Sequence, residues 1–248
     1  MPRNGLSSEM ILLGIIALTP SPKKGLSRGA AKVLSVQTGK VAPVGPDEVP
    51  SGIVKLPRRD RVGVTERGLE GDEIADLSVH GGPEKAVYGY AASRYPAWVA
   101  EFPEFATSFR GGAMGENLTI AGMDESHICV GDIHAIGTAL LQVCQPRQPC
   151  FKFALRHDNK LLPKAMVRSG FSGWYYRVIR PGALAAGDAV ILHDRPHPDF
   201  AFSRLIEIVY HGEARRDELV RMTKMQGLSR QWRVRARDQL ESKDMDGQ

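Results

Sequence analysis

Ala139-Leu140-Leu141-Gln142-Val143-Cys144-Gln145-Pro146-Arg147-Gln148-Pro149-Cys150-Phe151-Lys152 is the stretch on which both fold and chemistry turn. Its first six residues form an apolar, strand-like run. Two prolines then fix the backbone and push the residues before them toward extended geometry, so a rigid rim follows the strand. On that rim Cys150 stands between Arg147 and Lys152 and beside Phe151. Nearby cations stabilise a thiolate and so lower a thiol pKa from its ordinary value of roughly 8.5; the thiolate is the form that attacks electrophiles or binds soft metals. Read alone, Cys150 is as readily a small buried hydrophobe after a turn. Cys144 and Cys129, set among apolar neighbours without adjacent charge, read as structural residues.

Outward from this stretch, further motifs occur in order: His80-Gly81-Gly82-Pro83-Glu84-Lys85-Ala86-Val87-Tyr88, Gly115-Glu116-Asn117-Leu118-Thr119 and Gly131-Asp132. Together with Gln145-Pro146-Arg147 and Pro149-Cys150-Phe151-Lys152 they resemble the MOSC domain, in its YiiM-like branch, from about Val33 to about Gln239. The resemblance implies a molybdenum-cofactor-binding β-barrel in which Cys150 ligates the metal and acts as the catalytic residue. It also implies an activity: members of the branch reduce N-hydroxylated bases and amines.

The other motif residues fit that implication by their chemistry. Paired glycines let backbone amides approach an anion, and Lys85 offers a point charge of the kind phosphate sites use. Taken alone, Gly-Gly-Pro is a turn and His80 a hydrogen-bonded structural residue. Asn117 carries both donors and an acceptor for a pterin edge, although an Asn opening a strand is as easily a turn residue. With the resemblance, His80, Lys85, Asn117, Arg147 and Lys152 become the candidate cofactor-binding residues. Arg67 to Glu73, a turn-like element with three carboxylates, reads by itself as a solvated loop, while the resemblance implies a position near the mouth of the site without assigning it a role.

The chain has 248 residues, enough for one large domain or a core with an appendage. With 42% hydrophobic and 25% charged residues, its composition is ordinary for a globular protein. Three cysteines in no paired spacing exclude a disulfide framework and suggest a reducing compartment, hence a cytoplasmic location. The formal net charge is +5, and Glu213 to Lys243 holds nine Lys or Arg against five Asp or Glu. With Trp232 its one aromatic residue, this basic region does not read as a nucleic-acid face; a solvated helix face or a docking surface for an acidic electron carrier remain.

Three regions follow from the pattern. Residues 1–31 form an N-terminal extension; its apolar run from Met10 to Leu18 is too short to span a bilayer, which takes about 20 residues, and lacks a clear cleavage site. No membrane association is expected. Residues 32–198 carry short β-rich runs split by Gly, Pro and Asp, near 32–37, 62–64, 84–90, 116–120, 134–136, 139–144, 175–178 and 189–192, the pattern of a barrel. Short helices interrupt it at 93–101 and 161–169. Residues 199–248 read as a small three-helix bundle, with Gly227 stopping one helix and Ser229 capping the next. The fold class is therefore mainly β: a MOSC-type barrel with short interrupting helices and a helical C-terminal domain.

No dinucleotide fingerprint, iron-sulfur cysteine set or haem motif is present, so a reductase of this kind draws electrons from a separate protein. A second reading makes the chain a sulfur carrier or cofactor-delivery protein, with Cys150 holding a persulfide or a transient cofactor. A third makes it a binding module acting through its basic helices. Homodimer formation is left open.

Overall fold

The computed structural model describes residues 30–77 and 81–246. His80 and nearly all of the N-terminal extension therefore lie outside the described residues. The strands are β1 (Lys32–Thr38), β2 (Ala42–Val44), β3 (Val49–Ser51), β4 (Leu56–Arg58), β5 (Val62–Thr65), β6 (Gly68–Leu69), β7 (Val87–Ala91) and β8 (Leu118–Ala121). They continue with β9 (Ile133–Ile136), β10 (Ala139–Pro146), β11 (Trp174–Arg180), β12 (Gly182–Leu184) and β13 (Val190–Asp194). The helices are α1 (Tyr95–Glu101), α2 (Phe151–His157), α3 (Leu162–Ser169), α4 (Phe202–His211), α5 (Arg216–Lys224) and α6 (Arg230–Asp246).

Eight strands make one sheet in the order β13-β9-β10-β11-β7-β8-β1-β4, antiparallel except for the β7–β8 pair. The barrel expected from the sequence is not closed, because this sheet ends on β13 and β4 as separate edges. The reason lies in β1, whose outer edge is divided. Val36 to Thr38 pair with β4, which leaves only the first residues of β1 to meet the approach to β13. There a single antiparallel bridge joins Lys32 to Ala189, with Val33 N donating to Asp188 O at 3.0 Å. With six helices among the described residues, the fold is mixed and sheet-rich, not mainly β.

β10 sits inside the sheet and is buried along almost its whole length, as expected of a strand covered on both faces. Its pairing with β11 slips between Val143 and Gln145, a bulge that turns the chain just before the proline rim. One apolar cluster runs from Val33, Leu118, Leu141 and Trp174 in the sheet into Phe202, Leu205, Leu219 and Trp232 of the C-terminal helices. A second gathers Tyr90, Tyr95, Trp98, Phe109, Phe153 and Met166 around α1, α2 and α3.

The C-terminal segment is fastened to the bulge: Ser229 N donates to the Cys144 carbonyl at 3.0 Å, and the Ser229 hydroxyl donates to Gln145 Oε1 at 3.2 Å. Ser229 stands directly before α6, where its carbonyl accepts from the amides of Trp232 and Arg233 at 3.2 and 3.1 Å. The first free amide of α6, on Arg230, donates to both carboxylate oxygens of Glu84 at 2.9 Å, so the acceptor at this helix end comes from 146 residues away.

Candidate functional site

The rim after β10 delivers Cys150 to the start of α2, where its extended backbone (φ −122°, ψ 168°) precedes the first helical turn. The Cys150 side chain is half-buried and opens onto a cleft of about 630 Å³, its mouth included. The other two thiols are buried. Cys144 donates to the carbonyls of Glu84 and Tyr175 at 3.0 and 3.3 Å, and burial pushes its pKa up to about 12. Burial also raises Cys129. Of the three thiols, Cys150 alone lines the cleft.

Lys85, Asn117, Arg147 and Lys152 line the same cleft as Cys150, although they span 68 positions of sequence. Arg147 is 5% exposed. Its Nη1 donates to the Met114 carbonyl, and its guanidinium lies 5.0 Å from the Tyr88 ring centroid and 5.4 Å from that of Phe153. A guanidinium held by a carbonyl and two rings is a fixed charge. Gly115 lies beside it and packs closely on Ile53. At φ +80°, a Cβ there would lie 2.7 Å from the Ile53 side chain, so glycine is required twice over. The Arg147 carbonyl accepts from the Tyr210 hydroxyl of α4 at 2.5 Å, and Lys152 Nζ donates to the Pro50 carbonyl at 2.9 Å.

Asn117 takes a different part from the one its chemistry suggested. Its Nδ2 donates to the Gln37 carbonyl at 3.2 Å and to Asp72 Oδ2 at 2.8 Å, while Oδ1 accepts from Tyr88 N at 3.0 Å. With both donors engaged, Asn117 orients Asp72 and has no free N–H for a heterocycle edge.

Two residues of the cleft were not singled out in the sequence: Lys55 and Asp72. Their ion pair has an Nζ–Oδ1 distance of 2.5 Å, and their side chains are only 7% and 8% exposed. Asp72 also accepts from Gly39 N at 2.8 Å. Burial holds the Lys55 ammonium below the usual lysine range, with Arg147 and Arg156 adding to that effect and Asp72 opposing it. Asp72 belongs to the turn-like element read as a solvated loop, where its neighbour Glu73 pairs with Lys40 at 2.8 Å. Lys55 carried no signal at all, since a single lysine between short strands marks nothing.

The cleft wall is aromatic on one side. The Tyr88 and Tyr175 rings both line it, with centroids 5.0 Å apart and planes tilted by 34°.

Known proteins resemble this chain in sequence and in fold. Residues 76–191 match the MOSC domain family. Over 199 residues the chain is 39% identical to Protein YiiM of Escherichia coli, covering 80% of this chain and 88% of that protein. This chain belongs to the MOSC family, in its YiiM-like branch. Among solved structures, YiiM from Geobacillus stearothermophilus superposes with a TM-score of 0.72 at 31% identity, over 85% of this MOSC protein and 99% of that chain. A protein named Reductase from Gibberella moniliformis is 35% identical over 193 residues, which cover 77% of this chain and 33% of that much longer protein.

Proposed function

We propose that this MOSC protein is a molybdenum-cofactor-dependent reductase of N-hydroxylated purines or related amines, working in the cytoplasm with a separate electron-donating reductase. The observation that carries the reading is the meeting of one accessible thiol, Cys150, with Lys55, Lys85, Arg147 and Lys152 in a cleft walled by two tyrosines.

That donor set fits a metal brought in by an organic cofactor. Among the described residues no group of three or more His, Cys, Asp or Glu stands ready to hold a metal by itself. A metal already carried by a pterin needs one protein ligand, and a thiolate is a soft donor suited to it. The cations answer the charge of a phosphate tail, and the tyrosine faces suit a flat heterocycle. When bound, the cofactor supplies the two-electron removal of oxygen from the N-hydroxyl group. The chain supplies the rest. With the cofactor bound, Arg147 and Lys152 would hold the anion and Cys150 Sγ would ligate the metal, while Asn117 holds Asp72 against Lys55.

Reducing R–NH–OH to R–NH2 and water takes two electrons and two protons. Lys55 Nζ, an ammonium in the cleft wall with a lowered pKa, would give one of those protons, and solvent the other. The electrons come from outside, because the sequence carries no motif for an electron-transfer group.

The test is metal and pterin analysis of protein made in a host that produces the cofactor, with consumption of an N-hydroxylated purine under a chemical reductant. Cys150→Ser should lose molybdenum and Cys144→Ser should keep it. Arg147→Ala should weaken cofactor retention about ten- to a hundredfold, as loss of a charge-assisted hydrogen bond predicts. Equal molybdenum in wild type and Cys150→Ser overturns the reading. Molybdenum-loaded protein that leaves the substrate intact points instead to cofactor delivery.

A further inference from the structure

A second concavity lies behind the short turn Pro83–Lys85 that forms one wall of the cleft, and Lys85 lines both. Its other charged walls are Glu84, Arg177, Arg230 and Arg233. With an empty volume of about 970 Å³, mouth included, it is a broad basin. It brings together the turn before β7, the middle of β11 and the first two turns of α6, and no short sequence motif announces it.

Charge in this basin is one-sided. Glu84 is its one carboxylate, and its oxygens are already engaged: Oε1 accepts from Arg177 Nη2 at 2.6 Å, and both oxygens accept from the Arg230 amide at 2.9 Å. Arg177 spends its other terminal nitrogen on Gln142 Oε1 at 3.1 Å. Arg230 and Arg233 enter no salt bridge among the described residues. Arg233 Nε is buried and has no acceptor. Buried guanidinium N–H groups without acceptors are rare, and an unseen anion is one of the standard ways they are satisfied. Two guanidinium forks without carboxylate partners, on the first turn of a helix whose terminal amide Glu84 already holds, are the elements from which phosphate sites are built.

We propose that this basin is a second anion site, taking the phosphate of a nucleotide-sized phosphate ester, separate from the cleft of Cys150. The assignment does not depend on the reaction catalysed in that cleft. Phosphate is favoured over carboxylate because several guanidinium groups converge from different elements, and a tetrahedral group offers oxygens in several directions.

Titration calorimetry of the cofactor-free protein at about 0.15 M salt tests it, with adenosine monophosphate and inorganic pyrophosphate as probes and adenosine as the uncharged control. The cleft and the basin each take one probe, so wild type should show two sites. Arg230→Ala/Arg233→Ala should lose one and Arg147→Ala/Lys152→Ala the other, each affected site weakened about ten- to a hundredfold. Arg230→Ala alone, at an exposed position, should show part of the loss without risk to the fold, and Arg233→Lys should restore part of it. A single site abolished by Arg147→Ala/Lys152→Ala, unchanged binding in both basin variants, or adenosine binding as tightly as its monophosphate overturns the proposal. Because the two double variants report on different cavities, failure in the basin is distinct from failure of the cleft.

Discussion

Replacing Asp72 with Ala should be among the most damaging single changes in the cleft. Asp72 neutralises Lys55, whose Nζ lies 2.5 and 2.6 Å from its two oxygens, and it accepts from Gly39 N and Asn117 Nδ2, both at 2.8 Å. Removing it strands a buried ammonium together with two donors. Breaking a buried ion pair from one side costs about 3–5 kcal/mol, most of it from the charge left behind. Lys55→Met should cost less, because Asp72 keeps two of its donors. In Lys55→Met/Asp72→Ala the stranded charge is gone, so the double variant should regain much of what Asp72→Ala loses. Urea unfolding followed by circular dichroism, compared at constant slope, measures all three. The coupling energy from that cycle should be at least about 1 kcal/mol, as contacting residues in one network show. An Asp72→Ala loss below about 1 kcal/mol, or strictly additive single changes, refutes a buried pair of this strength.

Tyr210→Phe should lower stability by about 1 kcal/mol, the worth of an ordinary net hydrogen bond, and speed modification of Cys150 by a thiol reagent by loosening the rim. Unchanged stability and unchanged reactivity together would show that α4 does not hold the rim. Stability should also fall as pH drops from about 6.5 to about 4. His134 is fully buried against the Tyr176 hydroxyl at 2.8 Å, and burial holds its pKa at about 4, below the ordinary 6.5, with nearby Asp132 opposing the shift. In that window the unfolded chain binds the proton and the folded chain does not, so stability rises with pH and levels off above it. Burial moves His157 the same way, also to about 4. Thermal melts across the window should show a flatter slope for His134→Asn; an equal slope removes His134 from the account.

Much of the fold was legible locally. The runs near 32–37, 134–136, 139–144 and 175–178 lie in strands, and the helix expected over 93–101 forms at Tyr95–Glu101. Helix α2 was missed, because two prolines and a cysteine read as loop and the seven residues after them are too few to show a clear period. The broken closure at β1 was also out of reach, since it depends on how one strand edge is shared by partners at both ends of the chain.

At the site, sequence by itself determined which side chains carry distinctive chemistry: a thiol between cations, a lysine after paired glycines, and a family pattern that spans most of the chain. These are local signals, written in neighbouring residues and in backbone conformations that only glycine and proline favour. Tertiary structure alone decided what those groups face. It spent the Asn117 amide on Asp72, paired that carboxylate with a lysine 17 positions away, sealed Cys144 while opening Cys150, and gave α6 its N-terminal acceptor from Glu84. Hydrogen bonds and ion pairs between distant segments depend on the relative placement of whole strands and helices, and that placement follows from packing over the entire core and not from any window of sequence.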